Sequence, residues 1–176
     1  MEPVMMPKVY REIRCGEVTV LYVQEAGSPK LGLWLVPTKL RRKVAPHRQF
    51  LSGIEIDSIK GTADHGPRAW MVESLLQLKA GGDDAPAAFA QGRSLRNSVT
   101  VDRMALAGQV VTRAGGRVTV RTTFNHPDGW RAHHDLAWRR GTSWLESSVT
   151  VENTGAAALT LEQLASFSVG GLTPFA

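Results

Sequence analysis

Between Ala114 and Gly155 four turn-forming clusters recur at a constant interval. They are Ala114-Gly115-Gly116, His126-Pro127-Asp128-Gly129, Arg140-Gly141-Thr142 and Glu152-Asn153-Thr154-Gly155. Centred on Gly115, Asp128, Gly141 and Thr154, they lie 13, 13 and 13 residues apart. Such a step holds a strand of about eight or nine residues plus a tight connection. The rhythm predicts an antiparallel meander.

The segments between the turns carry apolar residues at every second position, which a pleated chain gathers on one face. Val118, Val120, Thr122 and Phe124 fall on one side, with Thr119, Arg121 and Thr123 on the other. Next, Trp130, Ala132, His134, Leu136 and Trp138 share a face while Arg131, His133 and Asp135 point away. Then Leu145, Ser147, Val149 and Val151 oppose Trp144, Glu146, Ser148 and Thr150. One side of this sheet is dry and the other wet, so a second layer has to cover it.

In the first half, 17–23 and 31–36 are rich in β-branched and large apolar residues between Gly and Pro punctuation, and read as strands. Trp70 to Lys79 fits two patterns: Val72, Leu75, Leu76 and Lys79 match a helix ended by Gly81-Gly82, and Val72, Ser74, Leu76 and Leu78 match a strand. The strand is preferred. The expected fold class is all-β, an antiparallel β-sandwich with few or no helices and irregular loops at 41–49, 60–68 and 81–97.

A length of 176 residues corresponds to one domain with a core that needs no disulfide, and the single Cys15 could form none within the chain. With 43% apolar and 21% charged residues, disorder and fibre are excluded. No apolar run approaches the roughly 18 residues of a membrane span, and the amino terminus lacks the basic and apolar regions of a signal peptide. The expectation is a cytoplasmic chain without a membrane partner. The formal charge of +5 permits a polyanion. However, the one dense basic cluster, Lys39-Leu40-Arg41-Arg42-Lys43, is short and has no interleaved aromatic on which a base could stack. It reads as a solvated loop rather than a nucleic-acid site.

Binding residues on a rigid sandwich concentrate in its loops. The longest loop contains Asp84, Pro86, Phe89, Gln91-Gly92-Arg93 and Arg96-Asn97-Ser98. Further on stand Val151-Glu152-Asn153, Leu159-Thr160-Leu161-Glu162 and Ser166-Phe167-Ser168-Val169-Gly170-Gly171-Leu172-Thr173-Pro174-Phe175. Over about 75–176 these stretches resemble the amino-terminal β-sandwich domain of glycoside hydrolase family 36, the α-galactosidases. Three positions depart from that pattern: Ala88 replaces a Gly, and Ser94-Leu95 replaces Thr-Met.

The resemblance implies a large supersandwich preceding a (β/α)₈ barrel that hydrolyses terminal α-galactosides with retention, both catalytic Asp residues lying on the barrel. The 1–176 chain would then be a single non-catalytic domain, an N-terminal fragment of a larger hydrolase, with no catalytic residue, cofactor or metal of its own. In oligomeric members a sandwich loop reaches the sugar site of a neighbouring subunit. By that likeness Asp84, Phe89, Arg93, Arg96 and Asn97 are candidate substrate-binding residues in trans, with an α-galactoside and a homo-oligomer as the implied partners. Phe89 would offer an apolar face to the sugar ring, and Arg93, Arg96 and Asn97 would donate to hydroxyls. The alternative is that Arg96 and Asn97 tie the loop to its own backbone.

A retaining mechanism needs two carboxylates about 5 Å apart across the sugar. Asp83-Asp84 and the Glu55, Asp57 pair read instead as solvated surface groups. His133 and Asp135 project together from one strand face, but two ligands do not make a zinc site. His134 reads as a core histidine. Cys15, Ser166 and Ser168 lack a nucleophile elbow or a base at a recognisable offset. The five Trp residues read as packing, with Trp34 or Trp70 as a carbohydrate platform if exposed. That platform supports an alternative function, a free-standing carbohydrate-binding or protein-interaction module.

Overall fold

The computed structural model describes residues 7–25, 29–43, 74–83 and 97–169. Its architecture is all-β and antiparallel. Sheet A is the three-stranded meander β1 (Pro7–Cys15), β2 (Val18–Glu25) and β3 (Gly32–Pro37), followed by a 3-10 turn at Thr38–Lys43. Sheet B pairs β4 (Gln77–Ala80) with β9 (Leu161–Ala165). Sheet C is the four-stranded meander β5 (Ala105–Ala114), β6 (Arg117–His126), β7 (Trp130–Arg139) and β8 (Glu146–Asn153). A five-residue helix α1 (Val99–Arg103) precedes β5.

Sheet C follows the 13-residue spacing through its first three turns. Gly115, Gly116, Gly129 and Gly141 all take positive φ, the left-handed conformation that tight strand connections require and that only Gly adopts without strain. The fourth cluster behaves differently. After Asn153 the chain leaves sheet C, and β9 pairs with β4 instead of extending the meander, so the expected four-turn repeat ends one strand early. Gly155 marks this exit: a Cβ there would stand 2.7 Å from the Asp128 carbonyl oxygen. The β6–β7 turn and the departing chain are thus in backbone contact, and Thr154 donates its N–H to the Gly129 carbonyl at 2.9 Å.

The inward faces agree with the alternation. Val120, Phe124, Trp130, Ala132 and Leu136 of sheet C join Ile13, Cys15, Val20, Tyr22 and Leu33 of sheet A in one core, together with Leu75, Leu76, Leu78, Val101 and Met104. The layers are also tied by backbone bonds, Leu75 N–H to Leu31 O at 2.7 Å and Leu106 N–H to Pro29 O at 3.0 Å. At one end Trp138 packs over Gly16, where a Cβ would stand 3.3 Å from its ring. Leu21, Val23, Trp34 and Val36 form a second buried cluster on the opposite face of sheet A. Trp34 is 7% exposed, so it cannot serve as a carbohydrate platform. Trp70 lies outside the described residues, as do Glu55, Asp57, Val72 and most of the three expected loops. Lys39 to Lys43 belong to the 3-10 turn, where Arg41 pairs with Glu12 at 2.8 Å.

Candidate functional site

The long loop departs from β4 and returns at α1, and its two ends are held by a continuous set of hydrogen bonds. At the outgoing end Asp83 accepts from the Ala80 N–H at 3.0 Å and the Thr100 N–H at 3.2 Å. At the returning end Asn97 Oδ1 accepts from the Ser74 N–H at 3.1 Å and from Gln77 Nε2 at 2.8 Å. Ser98, next in sequence, caps α1 by accepting from the Val101 N–H and donates its hydroxyl to the Leu78 carbonyl at 2.6 Å. Every one of these bonds satisfies a backbone or amide group that a break between strand and helix would leave open.

Of the five candidate substrate-binding residues, Asn97 alone is described, and its carbonyl oxygen is committed to the loop's own scaffold. Asp84, Phe89, Arg93 and Arg96 lie outside the described residues. Asp83 differs from the solvated surface carboxylate that its sequence neighbourhood suggested, because it accepts two backbone N–H groups. Ser74 and Gln77 are the clamp residues that sequence reading did not assign to the loop, and the signal at hand was Asp83 near its start, a common local turn former.

Beside this clamp, Arg103 makes a two-bond ion pair with Asp128 at 2.8 and 3.0 Å, and Lys30 pairs with Asp102 at 2.5 Å. His126 stacks on Trp130 with ring centroids 4.3 Å apart, and burial lowers its pKa below the usual histidine range. Its Nδ1 accepts from the Asp128 N–H at 3.2 Å.

The outer face of sheet C carries the other polar concentration. Arg121 binds Asp135 through two bonds of 2.8 Å, which hold the Asp135 carboxyl below its ordinary pKa. Arg117 pairs with Glu146 at 2.6 Å. His133 does share this face with Asp135, as the alternation predicts, but its Nδ1 meets Thr123 Oγ1 at 3.0 Å and its Nε2 lies 3.6 Å from Glu152. Among the described residues no three His, Cys, Asp or Glu side chains converge as metal ligands. Cys15 is buried, and burial pushes its thiol up to about 11, which suppresses the thiolate a nucleophile needs.

On the inner face a polar row crosses the core. Gln109 Nε2 donates to Thr122 Oγ1 at 2.9 Å, and His134 beside Thr122 meets Ser147 Oγ at 3.1 Å through Nε2. The Ser147 hydroxyl proton goes to the Ser166 carbonyl, so His134 donates from Nε2. Its Nδ1 and the Tyr22 hydroxyl are buried without a hydrogen-bond partner among the described residues. Thr122, His134 and Tyr22 are fully buried, whereas Gln109 and Ser147 are half-buried.

Comparison with protein-family models, with curated proteins and with solved structures returned no match.

Proposed function

We propose that the chain is a non-catalytic β-sandwich domain of an α-galactosidase-like retaining glycoside hydrolase. Its role would be to support an active site carried by a barrel outside these residues, and to contribute to subunit contacts. The observation that supports this reading is the clamp at Asp83, Asn97 and Ser98. A loop that reaches a neighbouring subunit's sugar has to start and finish on rigid elements, because looseness at its base is amplified at its tip. The family-like loop residues 84–98 span the segment between those anchors. Asp83, Asp128 and Asp135 are engaged in backbone hydrogen bonds and ion pairs, in keeping with chemistry that resides elsewhere.

Sequencing the source DNA past the Ala176 codon is the direct test. A frame that continues through further strands into alternating strand and helix segments with two strand-end Asp residues supports the support-domain role. An immediate stop codon removes it. In the intact enzyme, Arg93→Ala should raise KM for the α-galactoside if the loop touches sugar, whereas unchanged kinetics would take this residue out of the site.

A further inference from the structure

We propose that the hollow on the outer face of sheet C binds a neutral polyhydroxylated ligand, a mono- or disaccharide. The hollow is an open depression of about 620 Å³. It is formed by a gap between two ion pairs. Arg121 and Asp135 stand on one side, and Arg117 and Glu146 on the other. Between them lie Thr119 and, directly opposite it on β7, Ala137, whose short methyl side chain leaves the floor low.

The charge pattern selects the ligand class. Two guanidiniums are matched by two carboxylates, so an anion drawn by the arginines meets Asp135 and Glu146, and a cation meets the reverse. A sugar hydroxyl both donates and accepts, and can therefore use both signs at once. Each guanidinium carries five N–H donors, of which Arg121 commits two to Asp135, so donors remain for a ligand without breaking the pair. The fixed planar fork suits vicinal hydroxyls. This site goes beyond the supporting role above and does not depend on it.

The test is an NMR titration of the ¹⁵N-labelled 176-residue chain with galactose, glucose and maltose, and with galacturonate and glucosamine as charged counterparts. Neutral sugars should shift the Thr119 and Ala137 amides saturably, with the charged sugars at least about tenfold weaker. Ala137→Leu, which fills the floor, and Arg121→Ala should each weaken neutral-sugar binding by at least about tenfold while the spectrum stays dispersed. Lys79→Ala, in the β4–β9 ribbon, should leave it unchanged. The absence of any saturable shift, saturable shifts confined to another surface, or equal or tighter binding of either charged sugar would overturn the proposal.

Discussion

His134 has no exposed surface, and burial lowers its pKa from 6.5 to about 4. The folded chain therefore holds it neutral while the unfolded chain protonates it readily, so between those values the unfolded state binds the extra proton. Stability must fall as pH drops from about 6.5 toward about 4, and the shift corresponds to a loss of roughly 3 kcal/mol at the acid end. Urea unfolding midpoints of the wild type and of His134→Leu, compared from pH 7 down to pH 4, isolate this share. His126 titrates in both proteins and cancels. The variant's curve should be flatter, and parallel curves would show that the buried imidazole does not govern acid sensitivity. A second residue-scale effect is steric. A Cβ at Gly155 would stand 2.7 Å from the Asp128 carbonyl oxygen and 3.2 Å from that of Gly129, backbone atoms that cannot swing aside. Gly155→Ala should cost about 1–3 kcal/mol, as overpacking does, and a melting temperature equal to wild type would contradict that close approach.

At the scale of elements, α1 has five residues, too few to hold itself as an isolated helix, so its caps and packing decide whether it forms. Ser98→Ala removes both the cap acceptor for Val101 and the donor to Leu78, and should destabilise the chain by about 1–2 kcal/mol. Asn97→Leu orphans the Ser74 N–H and removes one of the two bonds donated by the Gln77 amide, which keeps the one to the Ser74 carbonyl, for about 1–3 kcal/mol. Asn97→Asp keeps the acceptor and should recover most of that loss in denaturant titrations. Equal losses in the two variants would mean that the oxygen does not carry the clamp. Sheet C was legible because each hairpin turn needs left-handed glycines, and those glycines stand in the sequence at the spacing of a strand and a turn. β1 was not, because a register shift between Val9 and Arg11 breaks the alternation, leaving Val9 on the second cluster while Ile13 and Cys15 face the main core. The pairing of β9 with β4 was equally hidden, since its partner lies more than eighty positions away, as the Lys79–Glu162 ion pair across it does. The clamp escaped for the same reason: Asn97 showed its turn chemistry, but not the Ser74 and Gln77 groups it would meet.

Across the whole molecule the burial is lopsided. Sheet A is closed on both faces, with Leu21, Val23, Val20 and Tyr22 wholly inaccessible, whereas no residue from Ser143 to Val169 is fully buried. Leu161, Leu164 and Phe167 are 38, 40 and 44% exposed on β9 and its exit, and Leu161 and Leu164, paired with Ala80 and Leu78 on either side of a bulge, share one face of that strand. Among the described residues β8 adds an eight-residue strand paired in unbroken register on one side only, with no Pro, Lys or bulge to blunt its outer edge. Free edges of this kind template pairing with other chains, and neighbouring exposed apolar side chains strengthen the association. The chain should therefore self-associate as its concentration rises. Sedimentation velocity over a range of concentrations reads this directly, with the weight-average coefficient climbing for the wild type. The combined variant Leu161→Lys, Leu164→Lys, Phe167→Lys should hold the monomer value, because charge along the exposed apolar band opposes stacking while leaving the main core, where Phe124 and Leu136 sit, untouched. A wild type that stays monomeric throughout would mean that the exposed band is tolerated as ordinary surface. A variant that associates as strongly as wild type would place the contact at the β8 edge instead, where a single Val149→Lys, in the strand's interior row, or Thr150→Pro, which cannot donate to an added strand, would then be the change that abolishes it.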